Sequence, residues 1–586
     1  MNTLTKKPAK EVLSEALKPQ IQTSRVSGAE AVILSLIAEG VEVMFGYPGG
    51  AIMPVYDELY KYQDKIQHIL SRHEQGSVHS AQGYARISQK VGVCIATSGP
   101  GATNLVTGLA DALIDSTPIV CITGQVASHL LGTDAFQETD VVGITSAVTK
   151  WNFQVAKAED IPTALAKAFY IARSGRPGPV LIDITKDAQF AQTEFNYKPC
   201  EYIASYHPVP KIQAQAIQAA ADLINQAKKP LLLWGQGILL AKAEEEMQTL
   251  IEKTGIPAAS TVLGLSALSC QHPLYVGMLG MHGNYAPNIK TNEADLLIAV
   301  GMRFDDRVTG DVKRYAKQAK IIHIEIDPAE INKVIPADVA VLGDAKEALQ
   351  ALIPLVNSNS HPEWLQEFED AYHIEFQKVI KDEIHPDLSQ EQIKMAEVIN
   401  MISEKTKGQA VIVTDVGQHQ MVASRYYKFD QSLSYVTSGG LGTMGFALPA
   451  AFGAKVARPD REVIAIIGDG GFQMTIQELG TIFQTGLNLK IVILNNHFLG
   501  MVRQWQQLFF EKRYSFTEMV NPDFIGISKS YGIDAQKVSL REDLEAAVEK
   551  MLASEQPFLL EVEVEKEENV FPMIPTGESV ANIRLS

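Results

Sequence analysis

The sequence predicts an α/β protein of three doubly wound parallel-sheet domains. Short β-branched apolar runs alternate with helix-like stretches, which is the rhythm of parallel sheets. Nearly every run stops at glycine, proline or a small polar cluster, and the runs fall into three groups parted by two shifts in composition. At 586 residues the chain is also too long for one core, since about 150 residues per domain gives three or four.

The first group contains "VEVMFGYPGG", "VGVCIATSGPG", "PIVCITGQ" and "GPVLIDITKD". Their continuous apolar character suits strands buried on both faces. In "HILSRHEQGSVHSAQGYAR" a further strand-like run leads into a helix starting near Glu74. These elements form a domain over 25–190. "NYKPCEYIASYHPVPK", near 190–212, reads as a linker. "PLLLWGQG", "LLIAVGMRFDDR" and "IIHIEIDP" then mark a domain over 205–350, and a polar, helical crossover follows near 355–390. "AVIVTDVGQHQ", "EVIAIIGDGG", "IVILNN" and "FLLEVEVE" mark the third domain, 390–560, ahead of a polar tail over 561–586.

Composition narrows the function. With 46% hydrophobic and 20% charged residues, this is ordinary globular material. A net charge of −17 argues against broad nucleic-acid or anionic-membrane contact. The four cysteines lack CxxC spacing, and Cys94 and Cys121 sit inside apolar strands, so buried thiols in a reducing compartment are expected. No apolar run reaches the roughly 18 residues of a membrane span. The first 25 residues carry lysines together with Glu11 and Glu15 and lack an apolar core. They read as a loose leader, with the cytoplasm as the default location.

The chemistry is concentrated in the third domain. One strand ends in Gly468-Asp469-Gly470-Gly471 and the next in Asn495-Asn496. Open parallel sheets bind ligands beyond the carboxyl ends of their strands. A helix from Phe472 to about Thr485, with Phe472, Ile476, Leu479 and Phe483 at helical spacing, descends roughly 21 Å. The following strand climbs about 20 Å back, returning Asn496 to the level of Asp469. An oxygen-only pair suits magnesium, which is held by one or two protein groups plus phosphate oxygens. The glycines let backbone N–H groups approach a phosphate at a helix start. The pattern therefore predicts a magnesium–diphosphate anchor, whereas either motif alone is equally a tight turn. GxxxxGK[ST] is absent, and "WGQGIL" lacks the third glycine of the dinucleotide fingerprint.

GDG followed by NN resembles the signature of thiamine diphosphate enzymes. That resemblance implies magnesium ligation by Asp469, Asn496 and the Phe498 carbonyl. It implies coenzyme contacts from Tyr47, Gly417, Gln418, His419, Gly442, Met444, Gly468, Gly470, Gly471, Leu499, Gly500 and Met501. Glu74 takes the place of the glutamate that partners the far ring nitrogen of the aminopyrimidine, with burial expected to raise its pKa. A glutamate favoured by the helix dipole is the plainer alternative. For Gly442 and Met444 the alternative is glycine-rich packing, and for His419 a structural histidine.

"FGYPGGAIMPVYDEL", "RHEQGSVHSAQGYAR", "TSGPGATN", "GTDAFQE", "SGRPGPVLID", "LGMHG", "GMRFDDRVTG", "GTMGFALPAA", "NNHFLGMVRQWQ" and "VFPMIPTG" follow in order. Together they resemble the biosynthetic acetohydroxyacid synthase (acetolactate synthase) catalytic subunits within that family. The resemblance implies decarboxylation of pyruvate and transfer of the two-carbon unit to a second pyruvate or to 2-ketobutyrate. These are the entry steps to valine, leucine and isoleucine. Arg307 would hold the acceptor carboxylate and Trp505 would favour its ethyl group, one methylene being worth roughly 1–3 kcal/mol. An ion pair with Asp305 or Asp306, and ordinary packing, are the alternatives for these two. Phe136 and Gln137 would line the same cavity, and Lys186 would lie near the channel or simply be solvated.

The middle domain resembles the family's FAD module, with a structural flavin. Its contacts would be Arg176, Gly235, Gly237, Thr261, Leu263, Leu279, Gly280, Met281, His282, Gly301, Arg303, Asp305, Glu325, Ile326, Asp344 and Ala345. Glu325 stands where relatives also carry aspartate. The resemblance further implies a homodimer or homotetramer with active sites at the subunit interface, plus a small regulatory subunit. The tail with "VFPMIPTG" is expected to help cover the site. A pyruvate oxidase, a flavin-free catabolic acetolactate synthase and a non-catalytic regulatory descendant of the fold are the rival readings. Glyoxylate carboligase is disfavoured by Glu74.

Overall fold

The computed structural model describes residues 25–387 and 392–586, so the leader read over the chain start lies outside the described residues, apart from Arg25. Three six-stranded parallel sheets carry the fold. The first comprises β1 (Val43–Gly46), β2 (Gln67–Leu70), β3 (Gly92–Ala96), β4 (Ile119–Gln125), β5 (Trp151–Val155) and β6 (Pro179–Thr185). Its strand order is β2-β1-β3-β4-β6-β5. A small antiparallel ribbon pairs Arg25–Ser27 with Gln192–Glu194 at the start of the expected linker.

The middle sheet comprises β7 (Pro230–Trp234), β8 (Ala258–Ser260), β9 (Tyr275–Met278), β10 (Leu296–Val300), β11 (Lys320–Glu325) and β12 (Val339–Leu342). Its order, β9-β8-β7-β10-β11-β12, reverses direction between β7 and β10, which is where doubly wound folds bind dinucleotides. The third sheet comprises β13 (Val411–Thr414), β14 (Tyr435–Thr437), β15 (Val463–Gly468), β16 (Lys490–Asn495), β17 (Asp534–Val538) and β18 (Phe558–Glu563). Its order, β14-β13-β15-β16-β18-β17, repeats that of the first sheet.

The outer two sheets share one apolar core, in which Phe45, Val78 and Leu105 pack with Phe446, Phe472 and Ile482. Helices α1 (Glu74–Ser88) and α2 (Ala447–Ala457) cross at its centre. Two glycines set how closely they cross. A Cβ on Gly83 would lie 1.9 Å from the Ala450 carbonyl oxygen, and one on Gly453 would lie 1.9 Å from that of Ser80. The crossover expected near 355–390 contains a helix, Pro362–Glu375, whose Trp364 and Phe368 are buried on the middle sheet.

Two expectations need correction. The single helix read over Phe472 to Thr485 is broken: α3 (Asp469–Met474) stops at Thr475, a 3-10 turn covers Ile476–Glu478, and a second helix runs Leu479–Thr485. The Thr475 hydroxyl donates to the Gly445 carbonyl at 3.0 Å, and the buried Glu478 carboxylate accepts the Arg72 N–H at 3.0 Å across the domain contact. Phe483 consequently faces solvent, 58% exposed. The tail is likewise not simply polar. Val570, Met573, Ile574, Val580 and Ile583 are buried, and Ile574 N–H donates to the Met281 carbonyl at 2.9 Å. Apolar side chains at these spacings fill the seam between the middle and third domains.

Candidate active site

The register of β15 and β16 pairs Gly468 with Leu494, so Asp469 and the two asparagines leave adjacent strands at one end, as the length arithmetic required. The asparagines then divide. Asn495 faces inward, its amide donating to Glu561 at 2.8 Å, while Asn496 accepts the Phe498 N–H at 3.1 Å. Asp469 is 1% exposed, and burial pushes its carboxyl pKa up. Its hydrogen bond from the Asn521 amide, at 2.7 Å, opposes that shift, and no Lys, Arg or His ion-pairs with it among the described residues. A buried carboxylate without a cationic side chain, beside a carboxamide oxygen and a free strand end, fits an oxygen-ligated divalent cation.

The glycines around Asp469 leave room for neighbours. A Cβ on Gly468 would lie 3.0 Å from His419 Nδ1, and one on Gly470 would meet Leu499 at 2.8 Å and Met444 at 3.5 Å. A Cβ on Gly471 would lie 1.9 Å from an Asp415 oxygen. Asp415, at the end of β13, is fully buried and was missed in the sequence. It accepts the Gly445 N–H at 2.8 Å and pairs with His419 Nε2 at 2.5 Å, fixing both the histidine and the loop ahead of α2.

Glu74 opens α1, whose N-cap is the His73 ring accepting the Gln75 N–H at 3.1 Å. The Asn104 amide donates to its Oε2 at 3.0 Å, and Gly101 lies against its Oε1. The expectation that Glu74 is buried is not met within one chain: it is half-buried at the carboxyl edge of the first sheet. Tyr47, after β1, is 41% exposed on the same edge. Gln137 lies against Gly99 there, and Phe136 beside it is 87% exposed. Lys186 follows β6, half-buried.

A cavity of about 760 Å³ opens at the carboxyl ends of the middle sheet. All sixteen residues matched to flavin contacts lie on its wall, together with Arg307, Gly442, Met501 and Trp505. Phe136 and Gln137 are not on this wall within one chain; their loop follows β4 at the carboxyl end of the first sheet. Two βα turns meet closely at the switch point, since a Cβ on Gly237 would lie 2.5 Å from the Gly301 Cα. Gly301, from the next strand, thus supplies the close approach that "WGQGIL" lacked. Glu325, 8% exposed at the end of β11, accepts the Ile326 N–H at 2.9 Å, and burial pushes its pKa up to about 7. Burial pushes the His282 imidazole down to about 4, so it is neutral. A deep cleft at a switch point, with glycine turns and a buried acid, fits a dinucleotide.

Three further residues shape this cavity and carried no motif. Asp115 accepts the Gly439 and Gly440 N–H groups at 2.8 and 2.7 Å and pairs with Arg86 at 3.0 Å. Asp111 accepts the Thr443 hydroxyl at 3.0 Å, so these two buried acids clamp the loop carrying Gly442 and Met444. Lys150 donates to the Ser174 and Arg176 carbonyls at 2.8 Å, holding the strip that presents Arg176. Arg307 is exposed and 3.6 Å from Asp306, so the ion-pair alternative is present in weak form. Trp505 packs on Phe509, with ring centroids 5.3 Å apart, and still faces the cavity.

The four cysteines are free thiols, with Cys94 and Cys121 buried, and no helix is long and apolar enough to cross a membrane among the described residues.

Three family models match the chain in order. The thiamine pyrophosphate enzyme N-terminal TPP binding domain matches residues 26–144, the central domain 217–352 and the C-terminal TPP binding domain 415–562. The chain is 46% identical over 555 residues to the acetolactate synthase isozyme 2 large subunit of Escherichia coli (strain K12), covering 94% of this chain and 98% of that protein. It is 46% identical over 574 residues to the acetolactate synthase large subunit of Corynebacterium glutamicum, covering 96% and 90%. It is 44% identical over 567 residues to the probable large subunit of Methanocaldococcus jannaschii, covering 95% of each. With three parallel-sheet domains in the matching order, the chain belongs to the thiamine pyrophosphate enzymes, and among them to the acetolactate synthase large subunits.

Proposed function

We propose that this chain is the catalytic subunit of a thiamine diphosphate-dependent carboligase. It takes carbon dioxide from pyruvate and joins the remaining two-carbon unit to a second pyruvate or to 2-ketobutyrate. The products are 2-acetolactate and 2-aceto-2-hydroxybutyrate, on the route to valine, leucine and isoleucine. The observation that carries this is the buried Asp469 carboxylate beside Asn496 at the ends of two adjacent strands, with no ion-pair partner among the described residues.

Asp469, Asn496 and the Phe498 carbonyl would hold magnesium, and the Gly468–Gly471 turn would hold the diphosphate. When bound, the coenzyme supplies an acidic thiazolium carbon and an electron sink. Glu74 would exchange a proton with the aminopyrimidine of the bound coenzyme, and Asn104 fixes its carboxylate. Arg307 grips the carboxylate of the acceptor, and the Trp505 face selects its alkyl group. The middle cavity retains FAD as a structural element.

A second copy of the chain would complete the site. Glu74, Tyr47 and Phe136 look outward from the first domain, and Met474, Phe516 and Val520 are exposed on the third, at 54%, 100% and 98%. Pairing these two faces in a homodimer, or in a tetramer built from it, covers both apolar sets and shields Glu74. The relatives' designation as large subunits supports a small regulatory partner. The free thiols support a cytoplasmic setting.

The test is incubation of the purified chain with pyruvate, magnesium, thiamine diphosphate and FAD. Acetolactate should accumulate while the flavin stays oxidised. Flavin reduction during turnover, or no carbon–carbon bond formation, refutes the proposal.

A further inference from the structure

A chain of side-chain amides joins Asn496 to the tail. Asn496 Nδ2 donates to Gln418 Oε1 at 3.1 Å. Gln418 Nε2 donates in turn to Gln504 Oε1 at 3.2 Å and to the Glu568 carbonyl at 3.0 Å. Gln504 brackets Val570, accepting its N–H at 2.9 Å and donating to its carbonyl at 3.1 Å. All three side chains are buried, with Gln504 0%, Asn496 3% and Gln418 6% exposed. Gly500 makes the first link possible, since a Cβ there would lie 2.1 Å from Gln418 Oε1 and 2.8 Å from Asn496 Nδ2.

A carboxamide has two ends of nearly equal shape and opposite polarity. Main-chain groups have no such freedom: a carbonyl only accepts and an N–H only donates. The Val570 N–H and carbonyl therefore settle which way round Gln504 sits. Gln504 Oε1 and the Glu568 carbonyl, both acceptors, settle Gln418 with its amino group toward them. Gln418 then offers Asn496 an oxygen, which draws Asn496 Nδ2 and leaves Oδ1 on the side of the Phe498 N–H. Each reversal would bury two donors or two acceptors face to face.

We propose that Gln504, acting through Gln418, is a positioning residue by which the backbone of residues 568–570 fixes the Asn496 oxygen toward the magnesium position. The inference rests on the reading of Asn496 as a magnesium ligand. Linkage makes it reciprocal: cation binding at Asn496 stabilises the docked tail by the same factor. Residues that orient a metal ligand are typically worth about 10–100-fold in metal affinity.

The experiment is calorimetric titration of magnesium into the full-length protein saturated with thiamine diphosphate. It compares the unsubstituted chain, Gln504→Leu, Asn496→Asp and the double variant, with melting temperatures recorded alongside. Gln504→Leu should weaken magnesium binding by about tenfold or more. On the Asn496→Asp background the same substitution should change it less than about twofold, because a carboxylate presents oxygen whichever way it turns. Unchanged magnesium affinity in Gln504→Leu overturns the relay, and so does an equal loss on both backgrounds, which a general loosening of packing would give. If Gln504→Leu does not fold, Gln504→Glu is read the same way, since it loses the donor to the Val570 carbonyl while keeping side-chain length. If the unsubstituted chain takes up no magnesium with thiamine diphosphate, the assignment of Asp469 and Asn496 itself falls. If it does and Gln504→Leu matches it, only the relay falls.

Discussion

Gly453→Ala is a sharp probe of how the fold positions the chemistry. The added methyl would sit 1.9 Å from the Ser80 carbonyl oxygen, 2.7 Å from its carbon and 2.9 Å from its Cα. Carbon–oxygen contacts settle near 3.3 Å, so the two helices must separate by about 1.4 Å at their crossing. Backbone cannot rotate aside as a side chain could, and the neighbouring glycine, Gly83, is already as close to Ala450. Overpacking of this kind costs about 3 kcal/mol. Spread over 586 residues at about 2.1 cal/mol/K each, that lowers the melting temperature by only about 2.5 °C. The functional cost should be larger. Helix α1 begins with Glu74, and α2 follows directly on the loop of Gly442 and Met444, so the displacement moves two elements of the proposed site relative to each other. A misplacement of about 1 Å can cost around a hundredfold in rate. The assay is acetolactate formation at saturating cofactors together with differential scanning fluorimetry. Turnover within about twofold of the unsubstituted chain, with an unchanged melting temperature, would show that the crossing distance is not what positions the site.

Other perturbations test separate parts of the reading. Glu74→Gln should retain thiamine diphosphate in calorimetry and lose about a hundredfold or more in turnover; near-normal acetolactate formation would remove Glu74 from proton handling. Trp505→Leu should lower the preference for 2-ketobutyrate over pyruvate by about tenfold in a competition assay, and an unchanged product ratio would take Trp505 out of acceptor selection. Burial pushes the Glu478 pKa up to about 7, so between about 4.5 and 7 the folded chain holds a proton that the unfolded chain has released. Its contribution is complete at the acid end of that window and is lost as pH rises, by up to about 1.4 kcal/mol per pH unit. Glu478→Gln should therefore gain in melting temperature relative to the unsubstituted chain between pH 5 and 8. A gap that stays constant or shrinks contradicts the burial argument.

Much of the fold was legible because its central strands are buried on both faces and read as unbroken apolar runs. The strands that escaped notice are mostly edges, such as Trp151–Val155, Val339–Leu342 and Asp534–Val538, where one side meets solvent and polar residues intrude. Ala258–Ser260 escaped because three small residues give no periodic signal. The broken helix after Asp469 was hidden for another reason: Thr475 and Glu478 answer to Gly445 and Arg72, partners 30 and 406 residues away. In the site, glycines and end-of-strand carboxylates announced themselves. Asp111, Asp115, Asp415 and Lys150 did not, since a buried acid or lysine holding backbone groups looks in sequence like any solvated charge. Their roles exist only in three dimensions.

The first and third sheets run in the same strand order, and that sameness has a consequence for assembly. Each polypeptide holds two versions of one module, differing in what decorates the upper rim: Glu74 on one, Asp469 and Asn496 on the other. In the proposed homodimer, two polypeptides related by a twofold rotation would bring unlike rims together twice, in two identical chambers. On the proposed pairing neither polypeptide alone holds a whole reaction vessel, so dilution below the dissociation constant should extinguish turnover before it unfolds anything.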